Sequence, residues 1–511
     1  MSTTTTTSAL FVPDNRPSLF TFPRMYRAWL ACRRTKRNSV SALAFEIDAE
    51  ANLLTLVNEL RERRYKPSTS ICFYTEKPKC REIFAAAFRD RIVHHLIYNA
   101  LSPVWEKRFV HHSYACRPGK GTHAAAFALQ GFLRKITRNG SRRAFYLKLD
   151  ILNFFMSVDR RRLFERLTQR SLAPELLWLL RIVVFHDPTA DYCMMDRENL
   201  RFKLPPHKSL FHAKPGCGLP IGNLTSQFFA NVYLDALDQF VKHELKCRYY
   251  LRYVDDFILL DLDPSRLRDW KEKIAAFLAE RLQLSLREQA SRIAPVSGGV
   301  DFAGFIVRSH YLLVRRRVVG HVTARLRKVR DKLAANRGHY IVYHFHEKTL
   351  ATLLAAMNSY LGHFKHAQTH KLLEKLWGEF NFLEKFYRLS SRRLVRRDRG
   401  LRKKQTLKQQ ITWLRKEFPQ HLRLIEIGCY YEAFGRDAKI LAQTAGLVLH
   451  AKWRGYQYGC GFPARCLDKI AERLRKSRVP LVIVRQTGRE RYKTKERVLY
   501  LIVEYPWDDL P

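Results

Sequence analysis

Apolar residues recur along this chain with two different periods, and the switches between them mark out its elements. Leu53, Leu54, Val57 and Leu60 fall at helical spacing within residues 25–64 and predict an amphipathic helix. Residues 73–99 read as a basic hairpin-like piece leading into a helical stretch at 90–97. The aliphatic and aromatic run 144–150 predicts a buried strand that ends in Asp150. Residues 223–243 predict a long helix with Phe229, Val232, Tyr233, Ala236 and Phe240 on one side. A further strand signal at 249–253 turns at Asp255-Asp256 and returns through 257–260. It predicts a β-hairpin with carboxylates at its tip.

Downstream, Gly298-Gly299 breaks the chain before a short apolar strand at 300–307. Residues 315–390 are basic and helical, with Leu353, Leu354, Met357, Tyr360, Leu361 and Phe364 forming a stripe. A charge run at 392–408 reads as a linker. Strands return at 422–428, 447–451, 481–486 and 498–504. The expected division is a flexible tail 1–18, a body 19–310, a helical basic segment 311–395, a basic linker 396–421 and a small α/β domain 422–511. The fold class is α+β.

Composition narrows the partners. The 511 residues suggest two or three domains, and 46% hydrophobic content excludes wholesale disorder. Lys plus Arg number 92 against 47 Asp plus Glu, a net charge of +45 that a polyanion would offset. Nucleic acid is favoured over a membrane, because no apolar run approaches the roughly 20 residues of a spanning helix. The ten cysteines are scattered with no C-x-x-C pair, which argues against a zinc site. The tract Thr3 to Thr7 is polar where a signal peptide would be apolar, so a cytoplasmic protein with reduced thiols is expected.

Asp150 and Asp255-Asp256, at the ends of neighbouring apolar strands, then acquire a chemical meaning. Buried like charges repel, so such a set calls for a counter-charge. Two Mg²⁺ ions (or Mn²⁺) about 4 Å apart would supply it, activating a hydroxyl and stabilising a pyrophosphate leaving group. A lone Asp-Asp is more often a solvated turn; its flanks decide.

Those flanks resemble the reverse transcriptases. Lys148-Leu149-Asp150-Ile151-Leu152-Asn153-Phe154-Phe155, Gly218-Leu219-Pro220-Ile221-Gly222-Asn223, Arg252-Tyr253-Val254-Asp255-Asp256-Phe257 and Gly299-Val300-Asp301-Phe302-Ala303-Gly304-Phe305 follow the family's motif order. Arg89-Asp90-Arg91 and Ser113-Tyr114-Ala115-Cys116-Arg117-Pro118-Gly119 resemble the fingers motifs of bacterial, group II intron-like members. The resemblance implies a right-hand polymerase whose thumb is the basic segment 311–395. It implies Asp150, Asp255 and Asp256, with the backbone of Ile151, as metal ligands. Lys79, Arg81, Phe155, Ile221, Gly222 and Gln227 would contact the dNTP, and Phe302, Gly304 and Phe305 would form the primer grip. Partners would be a template RNA, a DNA or RNA primer and an accessory protein; the oligomeric state is left open.

Two departures refine this. Ile221-Gly222 and Ser226-Gln227 stand where relatives carry Gln-Gly and Ser-Pro, a combination similar to diversity-generating retroelement polymerases, which copy RNA with errors at adenines. After Leu284-Ser285-Leu286, where lysines are usual, come Arg287, Glu288, Gln289 and Ala290. The run 428–438 and pieces beyond it resemble the mismatch-recognition domain of the repair protein MutS. That likeness implies Tyr430 stacking on a base with Glu432 bonding to it, or a domain that binds protein instead. An antiviral defence enzyme and an inactive RNA-binding scaffold are the alternatives to an error-prone retroelement polymerase.

Overall fold

The apolar run that ends at Asp150 forms the strand Phe145–Asp150. It lies in a four-stranded antiparallel sheet ordered Tyr249–Tyr253, Asp256–Asp261, Phe145–Asp150, Arg292–Pro295. The structure, a computed structural model, describes residues 18–34, 39–76, 79–195, 204–391, 393–491 and 494–505; all of the expected tail but Ser18 lies outside them. Leu147, Leu149, Phe257 and Leu259 join a core with the helices Phe88–Arg108, Leu224–Gln239 and Pro264–Leu282. Burying each such side chain contributes about 2 kcal/mol.

The helix Leu224–Gln239 is not the one-sided helix expected at 223–243. Phe228, Leu234 and Leu237 are buried as well as Phe229, Val232 and Tyr233, so it is enclosed nearly all round. Its last turn widens into a π-helical segment, Phe240–Glu244. Arg81–Ala85, Ser70–Thr75 and Tyr192–Met194 form a separate three-stranded sheet. Asp90 of the Arg89-Asp90-Arg91 motif is buried and accepts from Tyr65 Oη at 2.8 Å and Ser68 N at 2.9 Å, which fixes the start of the helix Phe88–Arg108.

The chain divides into two compact units, Met1–Ala303 with Val307–His310, and Gly304–Ile306 with Tyr311–Pro511. In the second, an eight-stranded sheet runs Ala334–Asn336, Ile341–His344, Thr494–Glu504, Leu481–Arg491, Leu422–Ile427, Tyr430–Phe434, Tyr456–Pro463, His450–Trp453. Three expectations change here. The segment 311–395 is not wholly helical, since Ile341–His344 pairs with Thr494–Glu504 and extends the C-terminal sheet. The stretch 396–421 is no free linker: the helix Leu407–Glu417 buries Ile411 and Leu414 in the core that holds Ile425 and Val484. The strand expected at 447–451 starts later, at His450.

The expected strand 300–307 is also interrupted, with left-handed backbone at Ala303 (φ 50°) and Gly304 (φ 91°) between Val300–Phe302 and Phe305–Val307. Among the described residues no helix is long and apolar enough to cross a membrane.

Candidate active site

Strand register brings the predicted carboxylates together. Asp150 and Asp256 are direct cross-strand partners, and Asp255 sits at the turn of the hairpin beside them. The Ile151 amide donates to the Asp255 carbonyl at 3.3 Å, tying the two strand ends. Burial, then the charge of Asp150, push the Asp255 carboxyl up to about 6. Burial, then Asp256, raise that of Asp150, against the pull of Arg287, Lys148 and Lys79. Arg287 Nη1 lies 2.6 Å from Asp150 Oδ2, and Lys148 Nζ lies 4.0 Å from Asp256 Oδ1.

Among the described residues no three carboxylate, imidazole or thiolate groups are already gathered on one ion position. The donor set nevertheless suits a hard divalent cation, since its oxygens repel one another and carry too little counter-charge. Ligation at Asp150 Oδ2 requires Arg287 to let go.

The hairpin is anchored from beneath. Val254 adopts φ 57°, a left-handed conformation that a β-branched residue rarely takes. Arg252, with no exposed surface, donates to the Val254 carbonyl at 3.0 Å. Its other N–H groups reach Asp238 (2.7 and 2.6 Å), Asn231 Oδ1 (3.3 Å) and Ser113 Oγ (3.1 Å). Tyr250 Oη adds a bond to Asp238 at 2.6 Å. A buried ion pair of this kind holds geometry more than it adds stability.

In the second unit, Tyr430 opens the strand Tyr430–Phe434 and is 47% exposed, whereas its neighbour Tyr431 is buried and stacked on Phe462. Glu432 is buried. Its carboxylate accepts from Trp453 Nε1 at 2.8 Å and from Arg454 Nε and Nη2 at 2.8 and 3.0 Å. The aromatic is therefore available to a base while the carboxylate is already engaged.

Residues 67–307, which span this carboxylate hairpin, match the family described as Reverse transcriptase (RNA-dependent DNA polymerase). The chain carries a reverse transcriptase domain. Residues 405–504 match MutS domain I, so a MutS domain I follows it. Protein YkfC of Escherichia coli (strain K12) is 25% identical over 302 residues, covering 52% of this chain and 72% of YkfC. Nuclear intron maturase 2, mitochondrial, of Arabidopsis thaliana is 29% identical over 131 residues, 22% of this chain and 16% of the maturase. The DNA mismatch repair protein MutS of Thermus thermophilus is 40% identical over 82 residues, 16% of this chain and 10% of MutS. The chain thus spans most of YkfC but a small part of the maturase and of MutS.

Within the reverse transcriptase domain, Phe155 and Ile221 pack on one small apolar cluster with Phe84, Met156 and Leu210. Ile221 is held there by its carbonyl, which accepts from Phe84 N at 2.9 Å. Gly222 (φ 132°) lies so close to the strand Arg81–Ala85 that a Cβ would stand 2.9 Å from the Phe84 carbonyl oxygen. Gln227, Lys79 and Arg81 are exposed, Lys79 close enough to act on the Asp150 charge. Of the primer-grip set, Phe302 is buried in the first unit; Gly304 and Phe305 belong to the second, where Phe305 stacks on His363 at 4.1 Å.

Two contacts escaped sequence reasoning. In the sequence Arg287 stands out only as a departure from the usual lysine, yet Leu286 bridges to Ile151 and so delivers the next side chain onto Asp150. Arg454, in the turn after Trp453, gives no signal beyond the Arg454-Gly455 pair.

Proposed function

We propose that this chain makes cDNA on an RNA template, extending a DNA or RNA primer with dNTPs. The observation that carries the reading is the register of Asp150 against Asp256, with under-compensated Asp255 beside them. Asp150, Asp255, Asp256 and the Ile151 carbonyl would hold two Mg²⁺ ions, with Mn²⁺ as a substitute. When bound, such ions supply activation of the primer hydroxyl and neutralise the departing pyrophosphate.

The chain's own residues do the positioning. Lys79 and Arg81 are exposed cations suited to the triphosphate, and Phe155 supplies bulk where a ribose 2′-hydroxyl would lie. Phe302, Gly304 and Phe305 would seat the primer end in a right-hand layout of fingers, palm and thumb. Arg287 is paired with Asp150, and metal ligation at that carboxylate would free its charge to face phosphate.

A primer-extension assay on primed RNA tests the reading directly. Asp255→Ala/Asp256→Ala is expected to lower dNTP incorporation by about three orders of magnitude, ~4 kcal/mol in the barrier. Equal incorporation by the wild type and the variant would instead make the chain an RNA-binding scaffold.

Within that activity we assign low fidelity and a diversity-generating retroelement, in a bacterial cytoplasm. The Ile221 side chain would offer no hydrogen bond to a nucleotide, and it packs in one apolar cluster with Phe155. Ile221→Gln is expected to reduce misincorporation opposite template adenine by several-fold; an unchanged error spectrum rejects this role. Paired template and variable repeats in the neighbouring DNA would accompany diversification, and their absence would favour antiviral defence. For the MutS domain I, exposed Tyr430 supports stacking on a base of the product duplex. Glu432 could reach that base only by leaving Arg454 and Trp453.

A further inference from the structure

The end of the carboxylate hairpin opposite its catalytic tip is built of positive charge. Lys135, Arg138, Arg142, Lys246, Arg248 and Arg266 line a cavity of about 370 Å³ in the first unit, with Asp261 the one carboxylate among the described lining residues. Tyr249 and Leu260, a cross-strand pair, form part of its wall. The same two strands end at Tyr253 and Asp256 beside the carboxylates, about 15 Å away along the sheet. The cavity is therefore separate from the polymerising centre.

Two of the cations rest on aromatic rings. Arg248 lies over the ring of Tyr249 at 5.5 Å, and Arg266 over Trp270 at 4.9 Å. A guanidinium placed on a ring face keeps its N–H edge available for an oxygen acceptor. Asp261 lies 3.5 Å from Arg266 and offsets one charge of the six. Lys135 and Arg138 also suit the C-terminus of the helix Thr122–Ile136, and Lys246 that of the π-helical segment Phe240–Glu244, whereas Arg142 and Arg248 lie beyond both helix ends. Six like charges around one concavity repel each other, and closely spaced phosphates are the chemistry that relieves this.

We propose that this cavity binds backbone phosphates of an RNA strand lying outside the primer–template site. The site stands on the geometry alone; naming RNA as the polyanion rests on the reverse transcriptase reading.

All three of Arg142, Lys246 and Arg248 are exposed, so replacing them leaves the core untouched. In the full-length chain, Arg142→Ala/Lys246→Ala/Arg248→Ala is expected to weaken binding of a long structured RNA by at least about tenfold. The slope of log Kd against log salt should fall by about 2, from three phosphate contacts at ~0.7 each. Extension of a short primed template should keep its rate, which separates this site from the catalytic reading. Lys246→Ala alone should lower the slope by about 0.7. An unchanged slope overturns the proposal, as does loss of short-template extension. Loss of tripolyphosphate binding with RNA binding intact also overturns it, because the occupant would then be a small polyphosphate.

Discussion

Asp255 in the first unit and Glu432 in the second are both carboxylates set in apolar strand-and-turn surroundings, and the fold treats them in opposite ways. Burial, then the charge of Asp150, push the Asp255 carboxyl up to about 6, with too little positive charge nearby to offset them. Glu432 is met by both an indole N–H and a bidentate guanidinium. The first arrangement leaves an electrostatic deficit that a divalent cation can fill. The second leaves nothing to fill. Residue type and burial do not decide whether a carboxylate is available for chemistry; the neighbouring donors do.

A third carboxylate, Asp238, marks the paired extreme inside the reverse transcriptase domain, and breaking it should have the largest effect on stability. Arg252→Leu leaves Asp238 fully buried without its cation and is expected to cost about 3–5 kcal/mol, read as a lowered urea midpoint. Arg252→Leu/Asp238→Leu should recover much of that loss. If the single variant costs under ~1 kcal/mol, the pair is not what anchors the hairpin.

At the unpaired extreme the sign reverses. A raised folded-state pKa means that ionising Asp255 penalises the folded chain, fully above about pH 6 and not at all below about pH 4. Without divalent ions, Asp255→Asn should therefore raise Tm by about 3 °C near pH 7.5 and leave it unchanged near pH 4. A lower Tm at both pH values would show that Asp255 is already compensated.

The smallest effect belongs to the satisfied carboxylate. Arg454 is half exposed, so Arg454→Ala should destabilise by no more than ~1 kcal/mol. The same change removes the two Arg454 bonds to Glu432 and leaves the one from Trp453 Nε1. Affinity for a mismatched hybrid is then expected to rise several-fold if Glu432 reads bases, measured against Tyr430→Ala as the control for stacking. Unchanged affinity leaves Glu432 a packing residue.

Much of the polymerase site was legible in advance because its determinants are local. The hairpin 249–260, the strand before Asp150 and their acidic ends follow from apolar density, turn position and motif order. Segments whose partners lie far away in sequence were misread. Ile341–His344 sits in a helical, basic stretch and becomes a strand because Thr494–Glu504 offers an open edge. The expected linker 396–421 folds because Ile411 and Leu414 find apolar partners more than ten residues onward.

The sequence by itself determined the order of the elements, the polyanionic partner and the acids that would meet at the hairpin, since these rest on residue type and short-range period. Only the tertiary structure decided which charges touch. Arg287 reaches Asp150 through the Leu286–Ile151 bridge, Arg454 closes on Glu432 from a turn, and six cations gather where the strands Tyr249–Tyr253 and Asp256–Asp261 begin and end. Such contacts depend on register and side-chain direction in space, and electrostatic energy falls off over a few ångströms, so no linear spacing encodes them.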